Sequence, residues 1–150
     1  MLEMKCVIES AGAVASTTKL DAHEFFFDQP RSVLGGEDRG PSPLDVMVAA
    51  IGACAHYFAA AFLFARKIAP DGLRVVAVAE KERDPSPRIS KLNLQVAVPA
   101  SVPAHYLPAL ERAIKNCPAY NTLLHPPTVG ISLSRDVAEP EPAVSTATSV

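Results

Sequence analysis

The sequence predicts an α+β fold, and three features carry that prediction. The first third alternates polar and apolar residues with the two-residue period of a strand. The middle holds an uncharged stretch, Val46 to Ala65, patterned as a long helix. After it come two further strand-like segments and then apolar residues at helical spacing. At 150 residues the chain has the size of one domain, large enough to bury a core. We assign residues 1–137 to that domain and 138–150, with their Glu-Pro-Glu-Pro start and small polar residues, to a disordered tail.

The elements follow in order. Met4, Cys6 and Ile8 alternate with Lys5, Val7 and Glu9, and Cys6 falls on the apolar, core side of this first strand. Ala11-Gly12 supplies a turn before a second strand, Val14 to Leu20. A third, His23 to Asp28, carries three consecutive phenylalanines and is stopped by Gln29-Pro30. A loop rich in glycine runs from Gly35 to Pro43 and ends in a helix start. Ser42 fits the N-cap, Pro43 the first helical position and Asp45 the third, an acidic variant of the capping box. The helix is expected to reach about Lys67, with Arg66 and Lys67 at the negative end of its dipole, before Pro70-Asp71-Gly72 breaks the chain.

Leu73 to Glu82 and the alternating Leu92, Leu94, Val96 and Val98 are read as a hairpin turned by Asp84-Pro85-Ser86-Pro87. A second helix is expected from about Val102 to Asn116, with Leu107, Leu110 and Ile114 on one stripe. Cys117-Pro118 opens a short third helix through Leu124, and Thr128 to Ser134 reads as a closing strand.

Composition narrows the function classes. A formal net charge of −2 gives no general attraction to nucleic acid or anionic membranes, so neither is an expected partner. Three cysteines do not make a secreted disulfide framework, and Met1 to Ser10 lacks an apolar signal core. The expected compartment is the cytoplasm, where a disulfide is transient rather than structural. Val46 to Ala65 is long enough to cross a bilayer, but its alanines contribute little to insertion. The expectation is a helix buried in a folded core or dimer.

Two cysteines stand out. Cys54 lies deep in the uncharged helix and Cys117 precedes a proline at a helix start. One thiol can attack an oxidant and the second can close a disulfide, provided the fold brings them together. The plainer reading of Cys54 is a small buried hydrophobe, and of Cys117 an inert cysteine in a turn. The motifs around both point further. Gly35-Gly36, Gly40-Pro41-Ser42-Pro43, Ala49-Ala50-Ile51-Gly52-Ala53-Cys54, Asn116-Cys117-Pro118 and Asn121-Thr122-Leu123, in that order, resemble the OsmC/Ohr family over about Met4 to Leu133. The Gly-Pro-Ser-Pro form is most similar to the OsmC-like branch.

The resemblance implies an intertwined homodimer, with antiparallel sheets wrapped around long central helices and N-terminal strands of one subunit joining the sheet of the other. It implies a thiol peroxidase acting on organic hydroperoxides, with Cys54 as the peroxidatic residue and Cys117 as the resolving one. It implies no metal or organic cofactor, only an external thiol reductant such as a dihydrolipoyl group. The family's glutamate directly after the helix-opening proline is Leu44 here, and Asp45 stands one position later. At about 100° per residue Asp45 lies on roughly the opposite helix face from Cys54, where capping explains it better, although the OsmC-like branch often carries its acid there. The family's early arginine has no counterpart before Arg31, which leaves Arg39 of the loop as the candidate for activating Cys54 or binding peroxide, against a solvated loop arginine.

Other chemistries are weaker. His56 is two positions from Cys54, about 200° round the helix, and makes a poor general base for it. A Cys54/His56/Cys117 metal site lacks convincing spacing, and His23, His105 and His125 are scattered. The rival readings are a non-catalytic relative binding an apolar small molecule between subunits, a cysteine-dependent hydrolase or transferase, and a structural dimer with inert thiols.

Overall fold

The computed structural model describes residues 4–135, and the expected C-terminal tail lies outside them. Strands β1 (Val7–Ser10), β2 (Ser16–Leu20) and β3 (His23–Phe27) form an antiparallel sheet in that order. Asp21 turns β2 into β3 with a positive φ of 50°. The expected second strand begins two residues late, because Val14 is drawn into the turn before it. Cys6 is a correction. It precedes β1 and is exposed, since nothing among the described residues covers this face of the sheet.

The glycine-rich loop is tied back onto β3 by one carboxylate. Asp28 is 1% exposed, and its oxygens accept from the amides of Gln29 at 2.7 Å and Arg39 at 3.1 Å. Glycine is needed where the loop closes. A Cβ on Gly40 would meet Phe26 Cδ1 at 2.8 Å, and one on Gly36 would meet the carbonyl oxygens of Gln29 and Pro30.

Helix α1 (Pro43–Phe64) starts as its sequence requires. Ser42 Oγ accepts from the Asp45 amide at 3.3 Å and donates to the Asp45 carboxylate at 2.7 Å, while Lys81 Nζ holds the other carboxylate oxygen at 2.7 Å. The buried stripe Ile51, Ala55, Ala59 and Leu63 recurs every fourth residue. By length and mean hydropathy (1.9) this helix could cross a membrane, and 28% of that window is buried. It ends at Phe64, short of Lys67. The Lys67 and Ile68 amides return to the carbonyls of Phe64 and Leu63, and Lys67 takes the left-handed conformation with φ 58°. This is a Schellman-type stop with lysine where glycine is usual. Arg66 lies beyond the last turn, donating to the Phe62 carbonyl at 3.0 Å with its guanidinium 3.5 Å from the Phe62 ring centre.

Strands β4 (Arg74–Glu82) and β5 (Arg88–Ala97) form the expected hairpin, with a register irregularity at Glu80/Lys81. Helix α1 packs on β4, and Gly52 permits the approach, since a Cβ there would lie 3.4 Å from that of Ala77. The expected second helix is divided. A 3-10 turn, Ala104–Tyr106, precedes α2 (Leu107–Lys115) because Pro108 cannot bond back into a helix already begun at 102. Helix α3 (Pro118–Leu124) follows as read. The core lies among α1, α2 and α3, where Leu63, Leu110 and Cys117 are at most 2% exposed.

The closing strand, Thr128 to Ser134, is also a correction. Among the described residues, 126–135 form no strand, and Val129, Ile131 and Leu133 are 79%, 89% and 97% exposed. The alternation is present, but within one chain no strand edge meets it.

Candidate active site at a cysteine pair

Sixty-three positions of sequence separate Cys54 from Cys117, and the packing of α1 against α2 and α3 closes that gap. Cys54 sits midway along α1, half-buried beside buried Ala55. Cys117 occupies the junction between α2 and α3 and is 0% exposed. Both are free thiols, and the Cys54 side chain lies close enough to Cys117 to act on its titration. Burial, and then the neighbouring Cys54 thiol, push the Cys117 thiol above its ordinary range. The amides of Tyr120 and Ala119 pull more weakly the other way, and α3 has no side-chain cap bond at its start. Cys117 is therefore held as a protonated thiol.

The backbone around Cys117 is fixed from both sides. Its amide donates to the Ile114 carbonyl at 2.9 Å. Its carbonyl accepts from the Asn121 amide at 3.0 Å and from Asn121 Nδ2 at 3.2 Å, and Nδ2 also reaches the Lys115 carbonyl at 3.1 Å. Sequence reading caught Asn121 only as part of a motif. The signal for its role was available: an asparagine four residues past a cysteine that caps a short helix can reach back to that residue's carbonyl.

The other two candidate residues lie elsewhere in this chain. Arg39 Nε pairs with Glu37 at 2.9 Å and lies 3.7 Å from Asp28, and Nη2 donates to the Ala11 carbonyl at 3.3 Å. Its guanidinium carbon is 5.2 Å from the Phe26 ring centre. These partners belong to the N-terminal sheet and its loop. Asp45 caps α1, and the hydrogen bond from Lys81, then that from Ser42, hold its carboxyl below the usual range. It opens with Gly52 and His56 onto a shallow 490 Å³ cleft against β4. Among the described residues, no group of three or more His, Cys, Asp or Glu side chains is arranged as a metal site.

Next to the cysteines runs an apolar groove of 630 Å³, walled by Leu94, Leu110, Ile114 and Leu124. Ile51, one helical turn before Cys54, and Tyr120, on the first turn after Cys117, also line it. The arrangement can bind an apolar molecule beside a thiol pair able to cycle between two thiols and one disulfide.

Known proteins share this frame. An OsmC-like protein from Mycoplasma pneumoniae is 18% identical, covering 82% of this chain and 88% of its own, with a TM-score of 0.70. An organic hydroperoxide resistance protein from Elizabethkingia anophelis is 18% identical over 81% of this chain and 88% of its own, at 0.62. That of Bacillus subtilis, OhrB, is 16% identical over 81% and 90%, at 0.58. A comparison with curated proteins found no match. The sequence itself matches the family described as OsmC-like protein across residues 35–132, from the glycine-rich loop past α3. With this match and the shared fold, the chain belongs to the OsmC-like family.

Proposed function

We propose that the protein is a thiol peroxidase that reduces organic hydroperoxides, with Cys54 as the attacking residue and Cys117 as the resolving one. The observation that carries this reading is the approach of the two thiols, brought together where α1 packs on α2 and α3. The Cys54 thiolate attacks the outer oxygen of the hydroperoxide, the O–O bond breaks, and the alkoxide takes a proton to leave as an alcohol. Cys54 is then a sulfenic acid. The Cys117 sulfur attacks it, forming the S–S bond while hydroxide leaves with the Cys117 proton as water. An external dithiol, for which a dihydrolipoyl group is the candidate, reduces the disulfide by exchange. No metal or organic cofactor takes part.

The half-buried Cys54 is the thiol a substrate can reach, and the enclosed Cys117 suits the second step. The apolar groove beside them favours bulky hydroperoxides over hydrogen peroxide. Several structural neighbours are themselves described as organic hydroperoxide resistance proteins.

The working unit in this reading is a cytoplasmic homodimer. Met47, Tyr57 and Phe64 expose an apolar face of α1 at 43%, 64% and 80%. A second copy covering that face buries it without a membrane. Arg39 is the candidate cation in this reading, because a positive group offsets the cost of a thiolate in apolar surroundings.

One observation favours a second reading. The groove is large enough to hold an apolar ligand with no chemistry at all. Counting thiols after cumene hydroperoxide treatment separates the two: loss of two thiols as one disulfide supports the peroxidase. Unchanged hydroperoxide consumption by Cys54→Ser rejects it, and an apolar molecule co-purifying with an unreactive protein supports the binder.

A further inference from the structure

Building on the peroxidase reading, we infer that Asn121 is the positioning residue that aims Cys117 at the oxidised sulfur of Cys54. The junction between α2 and α3 is a weak point in any helical chain. The last carbonyls of α2 have no helical donor, and Pro118, at the first position of α3, has no amide hydrogen to offer. Both N–H groups of the Asn121 side-chain amide are engaged here, on the carbonyls of Lys115 at 3.1 Å and Cys117 at 3.2 Å. Its backbone amide holds the Cys117 carbonyl a second time at 3.0 Å. One side chain thus ties the end of α2 to the start of α3 across the residue that carries the thiol.

The consequence is geometric. A disulfide needs its Cα atoms within about 7 Å and its Cβ vectors converging. The second chemical step therefore depends on the orientation of the Cys117 backbone, whereas the attack by Cys54 on the hydroperoxide takes place on the continuous helix α1 and does not. Asn121 acts on ring closure alone. Replacement by alanine removes the donors. Replacement by aspartate keeps the shape but turns acceptor oxygens toward two carbonyl oxygens, and it disturbs the junction more.

The test separates the two steps in single-turnover experiments on the full chain with cumene hydroperoxide, comparing wild type, Asn121→Ala and Asn121→Asp. Alcohol release reports the first step. Loss of the second thiol reports closure, and a dimedone adduct at Cys54 reports waiting sulfenic acid. In both variants alcohol release keeps its wild-type rate and closure slows by about tenfold, the rate equivalent of a lost hydrogen bond. Dimedone labelling and over-oxidation to sulfinic acid rise accordingly, most in Asn121→Asp. Closure at the wild-type rate in both variants overturns the inference, and so does equal slowing of both steps, which marks a merely structural role. A wild-type chain that releases alcohol yet forms no disulfide overturns it while leaving Cys54 as the peroxide-attacking residue. A wild-type chain that consumes no hydroperoxide overturns the peroxidase reading and this inference together.

Discussion

At the scale of single residues, Cys117 shows how two neighbours decide what a thiol does. Burial and the neighbouring Cys54 thiol keep its proton on, so its nucleophilic form is scarce near neutrality. We expect disulfide closure, followed as loss of the second thiol, to accelerate as pH rises above 7, until ionisation is complete. Stability moves the other way. The unfolded chain releases this proton nearer the ordinary 9.0 while the folded chain retains it to higher pH. The unfolded state thus binds fewer protons in alkaline solution, and folding weakens as pH climbs through that region. Substituting Cys117→Ser should remove this alkaline sensitivity from urea denaturation curves and leave a sulfenic acid at Cys54 that dimedone traps. Both cysteines were visible in the sequence because a thiol in an uncharged helix and a thiol before proline are each unusual. Their meeting was not, because it depends on which face of α1 turns to the α2–α3 junction.

Elements are where local signals were most legible and where proline had the last word. Ser42, Pro43 and Asp45 placed the start of α1 to the residue, since a cap is a contact between near neighbours. Ser42→Ala should lower stability by about 1 kcal/mol in chemical denaturation, the ordinary cost of a lost N-cap. Lys81→Ala should cost under about 0.5 kcal/mol, because its ion pair with Asp45 is more than half exposed on both sides. The far end of α1 and the start of α2 were harder to read. A left-handed lysine stops the first, and a proline one residue into the second forces the 3-10 turn ahead of it. Asp28 belongs to this scale too. Its carboxyl is held below the usual range, first by the Arg39 amide, so it stabilises the loop above the carboxylate's ordinary pKa. That contribution disappears as pH falls through the lowered value. Asp28→Asn should therefore melt several degrees lower at neutral pH, with the gap to wild type closing in acid.

For the whole molecule, the sequence pattern and the isolated chain disagree in one place, and the disagreement is informative. Val129, Ile131 and Leu133 alternate as a strand should, yet no strand forms around them. Periodicity reports which residues want cover, not which chain supplies it. The N-terminal sheet poses the same question, since the main packing partners of α1 are β4, α2 and α3. In the proposed dimer a second copy answers both. Light scattering should then give twice the chain mass of 15.9 kDa, and Ile131→Lys should shift the population toward single chains. A wild type that scatters as a monomer rejects the dimer.

The bare ribbon after α3 also offers a gauge of assembly. Chymotrypsin accepts leucine on an exposed, extended backbone, so cleavage after Leu133 should be slow in concentrated solution and quicken on dilution. The midpoint of thermal melting should fall over the same range, because separating two chains is favoured when copies are scarce. Nicking and melting would then report one equilibrium, and the fraction cut early would measure how much protein stands alone.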